Sequence, residues 1–414
     1  MLPTSNGCGG ARSPRSVRNP PPRLDTTQLF TPAPLPVATL NSRERLACLR
    51  LIRSENVGPV AFRELVNHFG GAEAALAALP ELSRRGGGRR AIRICPETMA
   101  VAELEAADKA GAAPLFTIEP GYPPLLAHVD VPPPLVYVRG DIRLLSRPAV
   151  AIVGSRDCSA AGQKLARMLA ADLGAAGFVI ASGLARGIDG AAHEAALPTG
   201  TIAVLAGGLD IVYPPEHAGL QQRIGETGCL ISEQPPGFEP RAKDFPRRNR
   251  IISGISYGVI VIEAARRSGT LVTARTAGEQ GREVFAVPGH PLDPRAEGTN
   301  ALLKDGATLV TCGADVLSAL SHVSGRQHTG LREADVPHHV QAPVPIQPPP
   351  LLGSDDRQRL VSALGPAPID IDTLQRATGL PIRSVNVILM ELDLAGRIER
   401  HGGQLVSLRT PPPQ

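Results

Sequence analysis

"AVAIVG", residues 149–154, is a continuous apolar run that ends in glycine, and "AGQKLARMLAADLGAAG" at 161–177 follows with the spacing of a helix. A run with no polar alternation describes a strand covered on both faces, as the strands of a parallel sheet are. The unit recurs downstream. "FVIAS" (178–182), "TIAVLA" (201–206), "GVIVIEA" (258–264), "EVFAVPG" (283–289) and "ATLVTC" (307–312) are short β-branched runs parted by helical segments. The alternation predicts an α/β fold, a doubly wound and mostly parallel sheet, over residues 111–325.

Both flanks read differently. Residues 43–53 place Leu46, Leu49 and Ile52 on one side of a helix, and "NVGPVAFRELVNHFGG" (56–71) adds a Gly-Pro turn with Phe62, Leu65, Val66 and Phe69 at helical spacing. Helix, glycine turn and helix resemble a helix-hairpin-helix unit, assigned to 41–110. The amides of such a turn can meet a DNA phosphate; this turn carries no cation, so a packing module is the plainer reading. On the other side, six prolines in 331–352 predict a linker over 326–352. Residues 353–410 then hold a helix near 354–364, one opened by Asp370 or Asp372, and one opened by Pro381 with Ile382, Val385, Leu389 and Leu392 recurring. Two short strands around Gly402 and Gly403 complete a winged helix. Its candidate recognition helix, 381–393, has one cation, Arg383, against Glu391 and Asp393. Base reading calls for more polar and basic side chains there, so a protein-contacting or regulatory role is expected.

Composition narrows the classes. Residues 1–40 hold eight prolines, four arginines and one acid, Asp25, and are expected to be disordered. They lack the apolar block of a secretory signal, and no run of about 18 uncharged apolar residues occurs anywhere. A cytoplasmic protein with no membrane partner is the expectation. The six cysteines form no CxxC pair, which suggests neither a zinc site nor a disulfide framework. With 43 basic and 39 acidic residues the net charge is +4, so any affinity for polyanions must come from local clusters. Aromatic residues are 3% of the chain and tryptophan is absent, which limits base stacking.

Ligands of a doubly wound sheet bind beyond the carboxyl ends of its strands. Three loops qualify. "VGSRDCSAAG" (153–162) offers Gly154 for close backbone approach, Ser155 as a hydroxyl donor and Arg156 as a five-donor fork. "SGLARGIDGAAH" (182–193) sets Gly183 and Gly187 around Arg186, and "EAARRSGTLVTA" (263–274) opens a helix with Ser268, Gly269 and Thr270. No Gly-Lys dipeptide or GxGxxG motif is present, which argues against a Walker loop or a dinucleotide cofactor; the GxSxG match at 254–258, "GISYG", precedes a strand-like run instead of following one, so it makes no hydrolase elbow. Asp189 and His193, at i,i+4, could hold a metal or move a proton, but a capping Asp beside a packed His is commoner. Glu233 and Glu263 end strands, where orienting nearby arginines is a likelier use than acid–base work. "KDFPRRNRIISG" (243–254) adds Lys243 and, before or within the first turn of an apolar helix expected to start at "RIISG", Arg247, Arg248 and Arg250, with Phe245 and Pro246 tethering the run to the core. If that helix starts on the same rim, the loops form one positive groove suited to a chain of phosphates.

In order along the chain stand "GYPPLLAHVDVPPPLVYVRG", "AIVGSR", "ASGLARGIDGAAHEAAL", "GTIAVLAGGLDIVYPPEH", "LISEQPPG", "FPRRNRIISGIS", "VIVIEAARRSGTLVTARTAGEQGREVFAVPG" and "GTNALLKDGA". Over roughly 112–315 this resembles the DNA-processing protein A, or Smf, family. The resemblance implies an extended Rossmann-like domain that binds single-stranded DNA without sequence preference. It also implies protection of incoming strands in natural transformation, loading of the RecA recombinase, a homodimer through the Rossmann domain and no cofactor. The family's DNA-contacting positions carry over onto Ser155, Arg156, Lys243, Arg247, Asn249 and Arg250. The charge and loop argument adds Gly154, Gly183, Arg248 and Ser268–Thr270. A rival reading is a nucleotide-binding or nucleotide-hydrolysing enzyme of a related Rossmann type. Members of that type carry a PGGxGTxxE loop, where this chain has "EAARRSGTLVTA". A third is a transcription regulator acting through 353–408.

Overall fold

In the computed structural model, which describes residues 40–88, 90–321, 353–402 and 404–409, four helices come first. They are α1 (Ser42–Arg53), α2 (Pro59–Phe69), α3 (Ala72–Arg85) and α4 (Glu97–Lys109). Asn41 opens α1 through a capping box: its side chain accepts the Glu44 N–H at 3.0 Å, and the Glu44 carboxylate accepts the Asn41 N–H at 2.8 Å. Pro59 starts α2 and the left-handed Gly70 ends it. Phe62, Leu65 and Val66 are buried as their spacing predicts. The expected disorder of 1–40 and the expected linker at 326–352 fall almost entirely outside the described residues.

The sheet follows: β1 (Ala113–Phe116), α5 (Pro124–Ala127), β2 (Leu135–Gly140), β3 (Ala149–Gly154), α6 (Ala160–Ala175), β4 (Val179–Ser182), α7 (Ile188–Ala196) and β5 (Thr201–Leu205). It continues with α8 (Ala218–Thr227), β6 (Cys229–Ser232), α9 (Asp244–Gly254), β7 (Gly258–Ile262), α10 (Gly269–Glu279), β8 (Glu283–Ala286), α11 (Glu297–Lys304), β9 (Thr308–Leu309) and α12 (Gly313–Ala319). The strand order is β1-β2-β6-β5-β4-β3-β7-β8-β9. From β6 to β9 every pairing is parallel, and β1 and β2 add an antiparallel edge. The doubly wound, mostly parallel sheet is therefore present. Along β3, Ala149, Ala151 and Val153 join the core on one face and Val150 and Ile152 the core on the other, which is why the run lacks polar alternation.

The last module holds α13 (Ser354–Ala363), β10 (Ile369–Asp370), α14 (Ile371–Thr378), α15 (Ile382–Leu394), β11 (Ile398–His401) and β12 (Leu405–Leu408), with a three-stranded sheet in the order β10-β12-β11. Asp370 caps α14 by accepting the Thr373 N–H at 2.8 Å. Helix α15 is apolar on two faces. Val385, Ile388, Leu389 and Leu392 fill the winged helix's own core, while Met390 and Leu394 join the core of the N-terminal helices. Asn56 donates to the Leu394 carbonyl at 3.0 Å, and the Arg400 guanidinium bridges Glu64 at 2.8 Å and Asp393 at 2.9 Å. The would-be recognition helix thus packs against α2 and α3. Among the described residues no helix is long and apolar enough to cross a membrane.

Candidate nucleic-acid interface

Helix α9 decides the geometry. It begins at Asp244, not at "RIISG", so Arg247 and Arg248 lie within the helix rather than before it, and Arg250 lies in its second turn rather than its first. Asp244 accepts the Arg241 N–H at 2.8 Å, and Pro246 sits in the first turn, where its missing N–H costs nothing. Buried positions 244, 248, 251 and 252 share one face. That periodicity separates the arginines.

Arg248 points inward. Its Nη1 donates to the Gly183 carbonyl at 2.6 Å and to the Val204 carbonyl, and its Nε to Asn249 Oδ1 at 3.1 Å. Burial lowers its pKa to about 10, with Asp189 pulling the other way, so it stays charged at neutral pH. A Cβ on Gly183 would lie 2.7 Å from that guanidinium; the glycine makes room for an arginine rather than for a phosphate. Arg248, expected among the contacts, is buried and joins the ends of β4 and β5.

Arg247 points outward, with its side chain 53% exposed, and pairs with Glu233 at 2.9 Å. Arg250 is 21% exposed, pairs with the same Glu233 at 2.8 Å and donates to the Val131 carbonyl at 2.9 Å. One carboxylate thus holds two guanidiniums, the orienting use expected for Glu233. The Phe245 ring is half-buried rather than a core tether. The Arg156 guanidinium lies 5.4 Å from its centroid, that of Arg248 6.0 Å, and the exposed Tyr213 ring 5.3 Å. Beside them opens a shallow recess lined by Leu184, Ala206, Ile211, Tyr213, Phe245 and Arg248 among others.

The loops meet as the groove requires. The Ser155 N–H donates to the Glu263 carbonyl at 2.8 Å, the Thr270 hydroxyl to the Gly154 carbonyl at 3.2 Å, and the Ile188 N–H to the Ser155 carbonyl at 3.3 Å. Only glycine fits at 154, because a Cβ there would meet the Ile262 carbonyl oxygen at 1.9 Å. Ser268 caps α10 by accepting the Thr270 N–H at 3.2 Å, and Gly269 is exposed beside it. Arg156, Lys243, Arg266 and Arg267 are exposed and form no ion pair among the described residues. Tyr213, Arg266 and Arg267 were not among the expected contacts. The arginine pair lies inside a loop singled out for its hydroxyls, whereas Tyr213 carries no local signal beyond its place after a strand.

The candidate acids and bases are otherwise engaged. Asp189 accepts the Gly183 and Ala185 N–H groups at 3.1 and 3.3 Å. His193, fully buried, bonds Thr201 Oγ1 through Nδ1 at 2.7 Å, and burial drives its pKa down to about 3. Among the described residues no group of three or more His, Cys, Asp or Glu side chains is placed to hold a metal ion.

A doubly wound sheet with arginines gathered at its carboxyl edge, flanked by a helix-hairpin-helix module and a winged helix, defines a class of three-module DNA-processing proteins. Family comparison makes the class particular. The model described as DNA recombination-mediator protein A matches residues 114–321, a DprA-like N-terminal HHH domain matches 42–106, and a DprA winged helix domain matches 341–404. Protein Smf of Escherichia coli is 42% identical over 299 residues, 70% of this chain and 75% of that one. Protein Smf of Synechocystis sp. is 32% identical over 379 residues, 84% and 95% of the two chains. The X-ray structure of DNA processing protein A from Streptococcus pneumoniae superposes with a TM-score of 0.57 at 35% identity, over 68% of this chain and 98% of that one. The chain belongs to the DprA/Smf family.

Proposed function

We propose that this protein holds single-stranded DNA along the carboxyl edge of its sheet, without sequence preference and without catalysis, and passes the strand to a RecA-type recombinase. The observation that carries the reading is the rim itself: Arg156 lies over the Phe245 ring, and the helix that carries Phe245 also carries the exposed Arg247 and has Lys243 at its head. Guanidinium and ammonium groups grip phosphates whatever the bases are. The exposed Tyr213 ring, packed on the half-buried Phe245 among those cations, offers unpaired bases a face to stack on, which a duplex does not need. Ser155, Asn249 and the Ser268–Thr270 turn border the same rim. Gly154, Gly183 and Arg248 act one step back, by shaping the loops and joining the strands.

Three observations favour binding over catalysis. Asp189 is spent on loop amides, His193 is buried and neutral, and Glu233 is spent on two arginines. A duplex-reading role for the winged helix is disfavoured because the outer face of α15 is covered by the N-terminal helices. A homodimer through the sheet domain and work in the cytoplasm belong to the same proposal. The test is a competition titration with labelled single-stranded oligonucleotide against unlabelled single and double strands, repeated with Phe245→Ala. The expected result is preference for single strands and a loss of about 1–3 kcal/mol in the variant. Equal affinity for duplex, or release of free base from nucleoside monophosphates, would remove the reading.

A further inference from the structure

Strands β3 and β7 are neighbours in register, Gly154 opposite Ile262, and the chain winds away from them in opposite directions. Open α/β sheets bind small ligands in the crevice at such a switch point, with a phosphate seated on the N-terminus of the adjoining helix. The adjoining helix here is α6, and an anion already occupies its N-terminus. Glu263, the first residue after β7, accepts the Ser159 N–H on Oε2 at 2.8 Å and the Ser159 hydroxyl on Oε1. Ser159 in turn caps α6 by accepting the Gly162 N–H at 2.9 Å. A Cβ on Gly162 would stand 2.8 Å from the Glu263 carboxyl carbon, so that glycine leaves the room the carboxylate fills. The backbone of Glu263 is left-handed, at φ 51°, a conformation most side chains avoid unless surrounding contacts impose it. Its carbonyl also takes the Ser155 N–H at 2.8 Å. One residue therefore brackets the Arg156 loop at both ends, at 155 and at 159.

We infer that Glu263 is a specificity-determining plug. Its carboxylate takes the anion seat that a nucleoside monophosphate would need at the switch point, and the same contacts position Arg156 on the neighbouring rim. A second anion cannot share the Ser159 donors with a carboxylate already there, because both would be desolvated at hydrogen-bond distance from the same groups. This sets the chain apart from nucleotide-handling sheets of the same winding through one side chain rather than through its topology. The positioning half rests on the DNA-binding reading above; the plug half does not.

Glycine suits φ 51°, so Glu263→Gly empties the seat without adding backbone strain. The full-length wild type and Glu263→Gly are titrated with AMP by calorimetry and with single-stranded oligonucleotide by anisotropy, after thermal melts establish that both fold. Glu263→Ser replaces the glycine variant if that one does not fold. The expected results are no saturable AMP binding by the wild type, a gain of at least about tenfold in AMP affinity in the variant, and a several-fold loss of DNA affinity. Saturable AMP binding by the wild type, or a folded variant with no gain for AMP, overturns the plug. A folded variant that binds DNA like the wild type overturns the positioning of Arg156. If the wild type binds no single strands, the functional reading falls while the AMP arm still decides the plug.

Discussion

Arg247 and Arg248 are adjacent in sequence and opposite in role. Arg248 sits four residues after the buried Asp244 and three and four before Ile251 and Ile252, so the helix face alone would have sent it inward, had the helix been started at Asp244. Reading the start at Arg250 hid that. Arg248→Ala leaves the Gly183 and Val204 carbonyls without their buried donor and should cost roughly 2–4 kcal/mol in urea melts. Arg247→Ala removes a largely exposed group whose partner Glu233 keeps Arg250, so it should cost roughly 0–1 kcal/mol and act on DNA affinity instead. Equal losses of stability in the two variants would contradict this division. The same two arginines show what the sequence alone could say of the site. Residue types and their loops were readable, because strand ends and glycines mark them; which cation is spent on backbone carbonyls was not, since that depends on partners far along the chain.

At the scale of elements, the buried parallel strands were readable because continuous apolar runs have few other uses. Strands β1 and β2 were not placed from sequence, and β6 was read only through Glu233 at its end. The first two pair antiparallel at the edge of the sheet, outside the strand–helix alternation that marks the parallel strands. "ATLVTC" yields only the two-residue β9. Helix α7 and strand β5 are joined by His193 and Thr201, and this seam is pH-sensitive. The folded-state pKa of His193, about 3, lies below the roughly 6.5 of an exposed imidazole, so the unfolded chain takes the proton first. The contribution is therefore complete above about pH 6.5 and is lost as pH falls toward 3, at about 1.4 kcal/mol per unit. Asp189, raised by burial, opposes this at its own acidic end, which is why the comparison needs a variant. Urea melts between pH 7 and 5 should show a shallower decline for His193→Gln than for the wild type. Parallel declines would place the acid sensitivity elsewhere.

At the scale of the whole molecule, the winged helix is fastened to the far end of the chain. Its third helix, with one cation against two acids, raised the expectation of a protein-contacting or regulatory role; within the chain this module contacts the N-terminal helices through Met390, Leu394 and the Arg400–Glu64–Asp393 cluster. The second apolar face of α15 was present in the sequence, yet periodicity cannot say what will cover it. Arg400→Glu sets a negative charge between two partly buried carboxylates. Limited proteolysis should then release a fragment beginning near residue 353, and the melting temperature should fall. An unchanged digestion pattern would mean that the apolar contact suffices. Segment 353–410, prepared alone, should not bind duplex DNA, because the face that would enter the groove is apolar.

The rim joins these scales, since residues from three loops and one helix act on one polymer only if the sheet holds them together. The most direct test is the salt dependence of single-strand binding by the wild type and by the Arg156→Glu, Arg247→Glu double variant. The wild type should show log K falling linearly with log salt, and the double variant should bind every oligonucleotide sequence at least about tenfold more weakly, with a slope shallower by about 1.4, or 0.7 for each of two lost phosphate contacts. A folded double variant with the affinity and slope of the wild type would contradict the account.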